Sequence, residues 1–108
     1  MKTVLITGAS GGLGQALCSV FSKESVRLGV HVFKQKAAGA ALVADFSSDD
    51  CDAHSFSADL CDADDVRAMF RAFHQKWGRI DLLINSAGLN QNVLFHKERL
   101  EDWDMLMG

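Results

Sequence analysis

The chain contains no tyrosine, no excess of basic residues, no long apolar run and no paired cysteines. Because the net charge is −3 at pH 7 and no basic cluster is present, the composition gives no sign of nucleic-acid binding. No apolar run approaches the roughly 20 residues that a membrane-spanning helix needs. Cys18, Cys51 and Cys61 are odd in number and lack C-x-x-C spacing, so neither a disulfide framework nor a metal site is predicted.

The length and the first residues bear on domain number and location. A chain of 108 residues predicts one small domain, residues 1–108, which can bury roughly 65% of its unfolded surface. Met1, Lys2 and Thr3 run directly into an apolar segment, which leaves no room for a signal or transit peptide. We therefore expect a cytoplasmic protein.

A glycine-rich segment at residues 7–14 is the strongest local signal in the sequence. The apolar residues 4–6 before it predict a buried strand, and the apolar spacing after it predicts a helix with one face on a sheet. The residues that share this predicted face are Leu13, Ala16, Leu17, Val20 and Phe21. Strand, glycine turn and helix is the order that a phosphate-binding loop requires.

The glycines of this segment suit different tasks. Gly8 can take the tight turn that leaves the strand, Gly12 has no Cβ to keep a pyrophosphate away, and Gly14 lets the helix approach the strand. The start of the helix offers N–H groups and the positive end of its dipole to phosphate oxygens, beside Gly11, Leu13 and the hydroxyl of Ser10. A P-loop is excluded because no Lys-Ser or Lys-Thr pair follows the last glycine, and the G-x-G-x-x-G spacing is not met.

Apolar patterns along the rest of the chain alternate between strands and helices. Three further strands and two helices are predicted, over residues 27–33, 37–46, 54–58, 63–77 and 80–84. Asp62 is the predicted N-cap of the last helix, and Gly78 its end. The predicted fold is α/β, the N-terminal half of a Rossmann-type doubly wound parallel sheet with strand order 3-2-1-4. We expect the ligand at the carboxyl ends of the strands and the fourth strand as an open edge.

Three motifs in register resemble the short-chain dehydrogenase/reductase family. The T-G-x-x-x-G-x-G spacing of residues 7–14 is the first. Asp59, followed by Leu60, resembles the acidic residue that ends the third strand and contacts the adenine ring. Residues 85–88 resemble the N-N-A-G motif of the fourth strand, with Ser86 in place of the second Asn. The residues outside the loop that this resemblance assigns to the cofactor are Asp59, Leu60, Asn85, Ala87 and Gly88.

The residues after the second predicted strand bear on the choice between NAD and NADP. NAD-binding proteins place an acid about 20 residues after the glycines to hold the ribose 2′-hydroxyl, whereas NADP-binding versions put a cation there. Residues 32–36 contain no acid, and Lys34, with Lys36 nearby, can meet a 2′-phosphate. We therefore expect NADP rather than NAD, the alternative being two lysines in a solvated loop.

The resemblance also implies a reaction whose proton donor this chain lacks. In the family, a Ser and the Tyr and Lys of Y-x-x-x-K reduce a carbonyl with hydride from the nicotinamide, supported by an Asn of the fifth helix. The sequence has no tyrosine, and its last segment resembles the start of that helix, so we predict no catalytic residue and expect the chain alone to be inactive. The histidines have no ligand spacing and are predicted to be structural or at the surface: His31, His54, His74 and His96.

Three functions stay open on the sequence. The favoured one is an NADP-dependent oxidoreductase of this family, present as its cofactor-binding part, whose longer form reduces a ketone or a 3-oxoacyl thioester. The second is a non-catalytic nucleotide-binding or regulatory module, completed by another chain or by a second copy. The third is a degenerate scaffold without a ligand, against which the intact loop glycines, Asp59 and Asn85 argue.

Overall fold

The computed structural model of the protein describes residues 1–33 and 36–86, and the backbone of residues 92–94. Within these residues strands and helices alternate as far as β4. The elements are β1 (Lys2–Thr7), α1 (Gly12–Phe21), β2 (Val26–Val32), α2 (Lys36–Phe46), β3 (Cys51–Ser57), α3 (Ala63–Trp77), β4 (Leu82–Asn85) and β5 (Asn92–Leu94).

The strands form one sheet in the order β3-β2-β1-β4-β5. β1 lies between β2 and β4 and is parallel to both, with Val4 opposite Leu28 on one side and Leu82 on the other. β3 extends the parallel sheet beyond β2. The predicted α/β fold and the predicted strand order 3-2-1-4 are therefore confirmed.

The far side of β4 differs from the prediction. β5 runs antiparallel to β4, with Leu83 opposite Leu94 and Asn85 opposite Asn92. The expectation that β4 is an open edge is therefore wrong for the part of the sheet that the structure describes. A strand of three residues is too short to leave a periodic signal in the sequence.

Two hydrophobic layers cover the two faces of the sheet. One layer packs α1 and α2 on alternate residues of β1 and β2, such as Val4, Ile6 and Leu28. The other packs α3 on the opposite face, where Leu5 and Phe73 are fully buried. Because successive side chains of a strand point to opposite faces, β1 contributes to both layers and is buried along its apolar run.

The buried face of α1 is shifted from the predicted one. Gly14 and Cys18 are buried, whereas the side chains of Leu13 and Val20, both predicted to face the sheet, are 44% and 60% exposed. A β-carbon on Gly14 would lie 2.3 Å from the carbonyl oxygen of Gly8. This close approach sets the rotation of the helix about its axis, and apolar spacing alone does not reveal it.

Both predicted ends of α3 are confirmed. The Asp62 carboxylate accepts hydrogen bonds from the N–H groups of Asp64 and Asp65, at 3.0 and 3.3 Å. Gly78 ends the helix with φ of 82°, in the left-handed region that favours glycine. The helix therefore begins and ends where local chemistry satisfies its free backbone groups.

The strand boundaries differ from the predicted ones by one to three residues, and the largest differences are at the starts of β3, β1 and β4. β3 begins at Cys51, three residues before the predicted start, and β4 begins at Leu82 rather than at residue 80. Before β4, the N–H of Thr3 donates to Asp81 Oδ2 and the N–H of Asp81 donates to the Thr3 carbonyl, each at 2.8 Å. Asp81 is thus hydrogen-bonded to β1 just before the regular β1–β4 pairing begins. An apolar pattern does not reveal such a contact.

Candidate functional site

A cleft of about 570 Å³ lies where β1, β2, β3 and β4 reach their carboxyl ends. Its walls come from the segments that follow β1, β3 and β4 and from the end of β2. The lining residues are Gly8, Ser10, Gly11, Gly12, Leu13, Gly14, His31, Phe33, Ala58, Asp59, Leu60, Cys61 and Ser86. In a doubly wound sheet, this edge beside the switch between β1 and β4 is where ligands bind.

The glycine-rich loop turns from β1 into α1 and exposes the start of that helix to the cleft. Gly8 has φ of 64°, which a residue with a β-carbon rarely adopts. The Gly11 N–H donates to the Gly8 carbonyl at 3.2 Å, and the Gly11 carbonyl accepts the Gln15 N–H at 2.9 Å. Gly11 is therefore the N-cap of α1, with no side chain to satisfy the N–H groups of the first turn. These groups and the helix dipole favour an anion in the cleft.

Gly12 lines the cleft and leaves open space beside the loop. Apart from its chain neighbours and the backbone of its own helix, no described atom lies within 4 Å of a β-carbon built on Gly12. Gln15 Nε2 donates to the Ser10 carbonyl at 2.8 Å and braces the loop from α1. A ligand can therefore approach the backbone of this turn closely, and the turn is held by its own hydrogen bonds.

His31 connects the ends of three strands beneath the cleft. Its side chain is 2% exposed. Nδ1 accepts the N–H of Gly8 at 3.0 Å, and Nε2 lies 2.8 Å from the carbonyl oxygen of Ala58. Burial lowers the pKa of His31, against a smaller opposing effect of the Ala58 hydrogen bond. The ring is thus held neutral between β1 and the end of β3.

The segment after β3 forms a turn that brings a carboxylate to the cleft. The Asp59 N–H donates to Asp65 Oδ2 at 3.0 Å, and Asp59 Oδ1 accepts the N–H of Cys61 at 2.9 Å. Asp59 and Leu60 are half-buried, and Leu60 also packs against the layer under α3. Asp59 therefore shapes its own turn and lines the cleft at the same time.

The end of β4 is tied to the end of β1 by side chains. Ser86 Oγ donates to the carbonyl of Thr7 and lies 3.4 Å from that of Gly8. Thr7 Oγ1 donates to Asn85 Oδ1 at 2.8 Å. Asn85, predicted from the sequence to contact the cofactor, is not part of the cleft lining that the described residues form. Ser86, noted in the sequence only as a departure from the motif, lines the cleft instead.

The structure brings together part of the predicted site. Eight predicted residues line the cleft: Gly8, Ser10, Gly11, Gly12, Leu13, Gly14, Asp59 and Leu60. Lys34, Ala87 and Gly88, and also His96, lie outside the described residues. Five lining residues were missed, namely His31, Phe33, Ala58, Cys61 and Ser86. Each lies within a few residues of the end of a strand, a position that could have drawn attention to them.

The cysteines differ sharply in their surroundings. Cys18 and Cys51 are buried, whereas Cys61 is exposed in the cleft. Burial raises the pKa of the Cys18 thiol to about 12, with Cys51 adding to the effect.

In residues 1–33 and 36–86, no group of three or more His, Cys, Asp and Glu side chains is placed to hold a metal ion. No helix in the described part of the chain is long and apolar enough to cross a membrane.

Similar sequences cover nearly the whole chain. The sequence profile of a family described as short chain dehydrogenase matches residues 2–108. The 3-oxoacyl-[acyl-carrier-protein] reductase FabG of Staphylococcus aureus is 29% identical over 103 residues, or 95% of this chain and 42% of that protein. D-threitol dehydrogenase of Mycolicibacterium smegmatis is 34% identical over 103 residues, or 95% of this chain and 39% of that protein. The chain thus spans about two fifths of the length of these relatives.

Solved structures with the same fold support the comparison. A dehydrogenase/reductase from Sinorhizobium meliloti matches with a TM-score of 0.74 at 27% identity, over 82% of this chain and 35% of that one. An NADH-dependent reductase complexed with NAD matches with a TM-score of 0.70 at 27% identity, over 78% of this chain and 35% of that one. With the profile match over residues 2–108, these findings show that the chain belongs to the short-chain dehydrogenase family.

Proposed function

We propose that this chain binds a nicotinamide dinucleotide, preferentially NADP, and is the cofactor-binding part of an oxidoreductase that reduces a ketone or a 3-oxoacyl thioester. The observation that carries the proposal is the convergence of the glycine-rich loop, Asp59, Leu60 and Ser86 on one cleft. These residues come from three separate places in the sequence. Their meeting at the carboxyl ends of parallel strands is the arrangement that a dinucleotide requires.

The chemistry of the walls changes along the cleft in a way that suits the parts of such a cofactor. The first turn of α1 supplies N–H groups and a positive dipole for the pyrophosphate. Leu60 and Phe33 supply apolar surface beside the Asp59 carboxylate, which suits an adenine ring with its amino group. A volume of about 570 Å³ is in the range of small-molecule sites, roughly 300–1,000 Å³.

The preference for NADP rests on the region that follows β2. Val32, the last residue of β2, is apolar and buried in the layer under α1 and α2. Because residues 32–36 contain no acid, no carboxylate follows β2 to bind a ribose 2′-hydroxyl. α2 begins at the exposed Lys36 and has no acid in its first turn. A helix start with a lysine favours a 2′-phosphate, and we assign Lys34 to the same group. The relative complexed with NAD supports the alternative cofactor.

The residues present indicate that this chain can bind a cofactor but cannot protonate a substrate. A bound nicotinamide cofactor supplies hydride chemistry, while the chain binds and orients it. Because the sequence has no tyrosine, the chain by itself has no phenol to protonate a carbonyl oxygen, and we propose that it binds the cofactor without turnover. The same absence favours the second candidate function, a non-catalytic nucleotide-binding module completed by a second copy or by another chain. A cytoplasmic location stays a prediction.

The proposal is tested by titrating the purified chain with NADPH and NADH while nicotinamide fluorescence is followed. We expect NADPH to bind about tenfold or more tightly than NADH, because one charge-assisted hydrogen bond contributes about 1.5–3 kcal/mol. Gly12→Val should abolish the binding, since its side chain would fill open space at the cleft, where we propose that the pyrophosphate lies. Ala16→Val is the matched control, because it places the same side chain at an exposed position of α1 outside the cleft lining.

Different outcomes of this titration would contradict the dinucleotide site, the preference for NADP or the lack of turnover. Absence of binding to a chain that remains folded would contradict the dinucleotide site. Equal affinity for the two cofactors, unchanged by Lys34→Glu, would contradict the NADP preference and leave the site in place. Turnover of a ketone by the chain alone would contradict the proposal that the chain binds the cofactor without catalysis.

A further inference from the structure

His31 holds the beginning of the phosphate-binding loop through two separate contacts. Its ring Nδ1 accepts the Gly8 N–H at 3.0 Å, and its backbone carbonyl accepts the Ala9 N–H at 2.8 Å. On the other side, the ring Nε2 donates to the carbonyl of Ala58 at 2.8 Å. One nitrogen must accept and the other must donate, so only the neutral ring with its proton on Nε2 satisfies both partners.

We infer that His31 is a positioning residue of the cofactor site, which holds Gly8 in place for phosphate binding and releases it when the imidazole ring is protonated. The inference rests on the proposed dinucleotide function. A protonated ring carries N–H groups at both nitrogens, and its Nδ1–H faces the N–H of Gly8. Two donors cannot bond to each other, so a buried N–H loses its acceptor and the contact becomes unfavourable.

Gly8 passes this effect on to the rest of the loop. Its carbonyl accepts the Gly11 N–H at 3.2 Å, and Gly11 is the N-cap of α1. The same carbonyl is the atom closest to a β-carbon built on Gly14, at 2.3 Å. A shift of Gly8 therefore moves the cap and the packing of the helix start together, and these are the groups that face the cleft.

The surroundings of His31 favour the neutral ring. Burial lowers its pKa, and the positive end of the α1 dipole adds to the cost of a charge there. β1 and the loop bring no titratable side chain to the ring, since residues 3–14 contain none. The titratable groups on the neighbouring segments are Asp59 and Cys61 after β3, Asp65 of α3 and Lys36 of α2.

The test measures the affinity of the wild type and of three variants for NADP⁺ by calorimetry, between about pH 7.5 and pH 5. His31→Asn places Oδ1 where Nδ1 lies, so it keeps an acceptor for the Gly8 N–H and does not titrate. His31→Leu removes both ring contacts. His54→Asn is the matched control, because His54 is an exposed histidine on β3 outside the cleft.

We expect the affinity of the wild type and of His54→Asn, each divided by that of His31→Asn at the same pH, to fall by up to about tenfold as the pH decreases across this range. The loss of one buried hydrogen-bond partner gives this magnitude. His31→Leu should bind about tenfold more weakly than His31→Asn at every pH. The 2′-phosphate of NADP⁺ titrates equally for all variants, so the ratio of variant to wild type at each pH removes its contribution.

A parallel fall for the wild type and His31→Asn would overturn the inference, as would wild-type affinity in His31→Leu. Should His31→Leu fail to fold, His31→Gln replaces it, since its amide reaches the Ala58 carbonyl and leaves Gly8 without an acceptor. The exchange rate of the Gly8 amide proton, measured by NMR in the free chain, gives a second readout. It should be slow in the wild type and in His31→Asn and fast in His31→Gln. Failure of the wild type and of every variant to bind NADP⁺ would reject the proposed function, and this exchange rate would still decide whether His31 holds Gly8.

Discussion

Individual glycines of the loop are constrained by different parts of the protein. At Gly14 a β-carbon would lie 2.3 Å from the Gly8 carbonyl oxygen and 2.7 Å from Ala9 Cα. At Gly12 it would meet no described atom within 4 Å beyond its chain neighbours and the backbone of its own helix. The protein itself therefore requires glycine at position 14, whereas at position 12 only a ligand would.

Substitution by alanine should separate these two requirements. We expect Gly14→Ala to lower the free energy of unfolding by about 1–3 kcal/mol through overpacking against backbone atoms, despite the better helix propensity of alanine. Gly12→Ala should change it by no more than about 1 kcal/mol. Urea denaturation measures both, and equal stabilities of the two variants would contradict the close approach of α1 to the loop.

At the scale of elements, β2 and α3 fit together through a glycine. A β-carbon on Gly29, in the middle of β2, would lie 2.7 Å from Phe73 Cε2 and 3.3 Å from Phe56 Cε2. Phe73 is fully buried, and its ring centroid lies 5.2 Å from that of Phe56 and 5.0 Å from that of Trp77. The absence of a side chain at Gly29 is what lets this aromatic cluster rest on the sheet.

A double-mutant cycle tests this fit. Gly29→Ala should destabilise the protein by about 1–3 kcal/mol, since the Phe73 ring has to move. Combined with Phe73→Leu, it should cost less than the sum of the two single changes, with a coupling of about 0.5–3 kcal/mol. Val66→Ala, which removes buried volume from the same helix, is the control and should be additive with Gly29→Ala. Full additivity with Phe73→Leu would show that the ring does not limit position 29.

For the whole molecule, two histidines make stability depend on pH. Burial lowers the pKa of His31 and also that of His54, where Lys76 adds to the effect. The unfolded chain, with histidines near their ordinary pKa of 6.5, therefore binds more protons than the folded chain just below that pH. Stability should be full above about pH 6.5 and fall as the pH decreases towards the lowered values.

Urea midpoints at about pH 7.5 and pH 5.5 measure this dependence. His31→Asn should flatten it more than His54→Asn, because His31 is fully buried whereas His54 lies at the surface and is only partly covered by its neighbours. A midpoint that stays constant or rises on acidification would contradict the lowered pKa values.

Sequence patterns predicted much of this fold because they reflect local requirements. The apolar run of β1, the carboxylate of Asp62 at the start of α3 and the left-handed turn at Gly78 each depend on neighbouring residues. Alternation of strands with helices then leaves few topologies, and the order 3-2-1-4 of the four parallel strands was predicted. The glycine-rich loop and Asp59 were found in the same way, from spacing and from a family resemblance.

Features that depend on distant contacts could not be obtained from patterns. The rotation of α1, which leaves Val20 exposed, follows from the packing of Gly14 against Gly8. The pairing of β5 with β4 joins segments without a periodic signal. His31 seemed an ordinary strand residue, yet its ring meets Gly8 and Ala58, 23 and 27 residues away in the sequence.

The sequence by itself determined the order of the elements as far as β4, the ends of α3 and the chemical type of the loop, because these are set by contacts within a few residues. Only the tertiary structure decided which side chains share the cleft. A parallel sheet brings the ends of distant strands to one edge, and the hydrogen bonds of His31 and Ser86 across that edge form only once β1, β2, β3 and β4 are side by side.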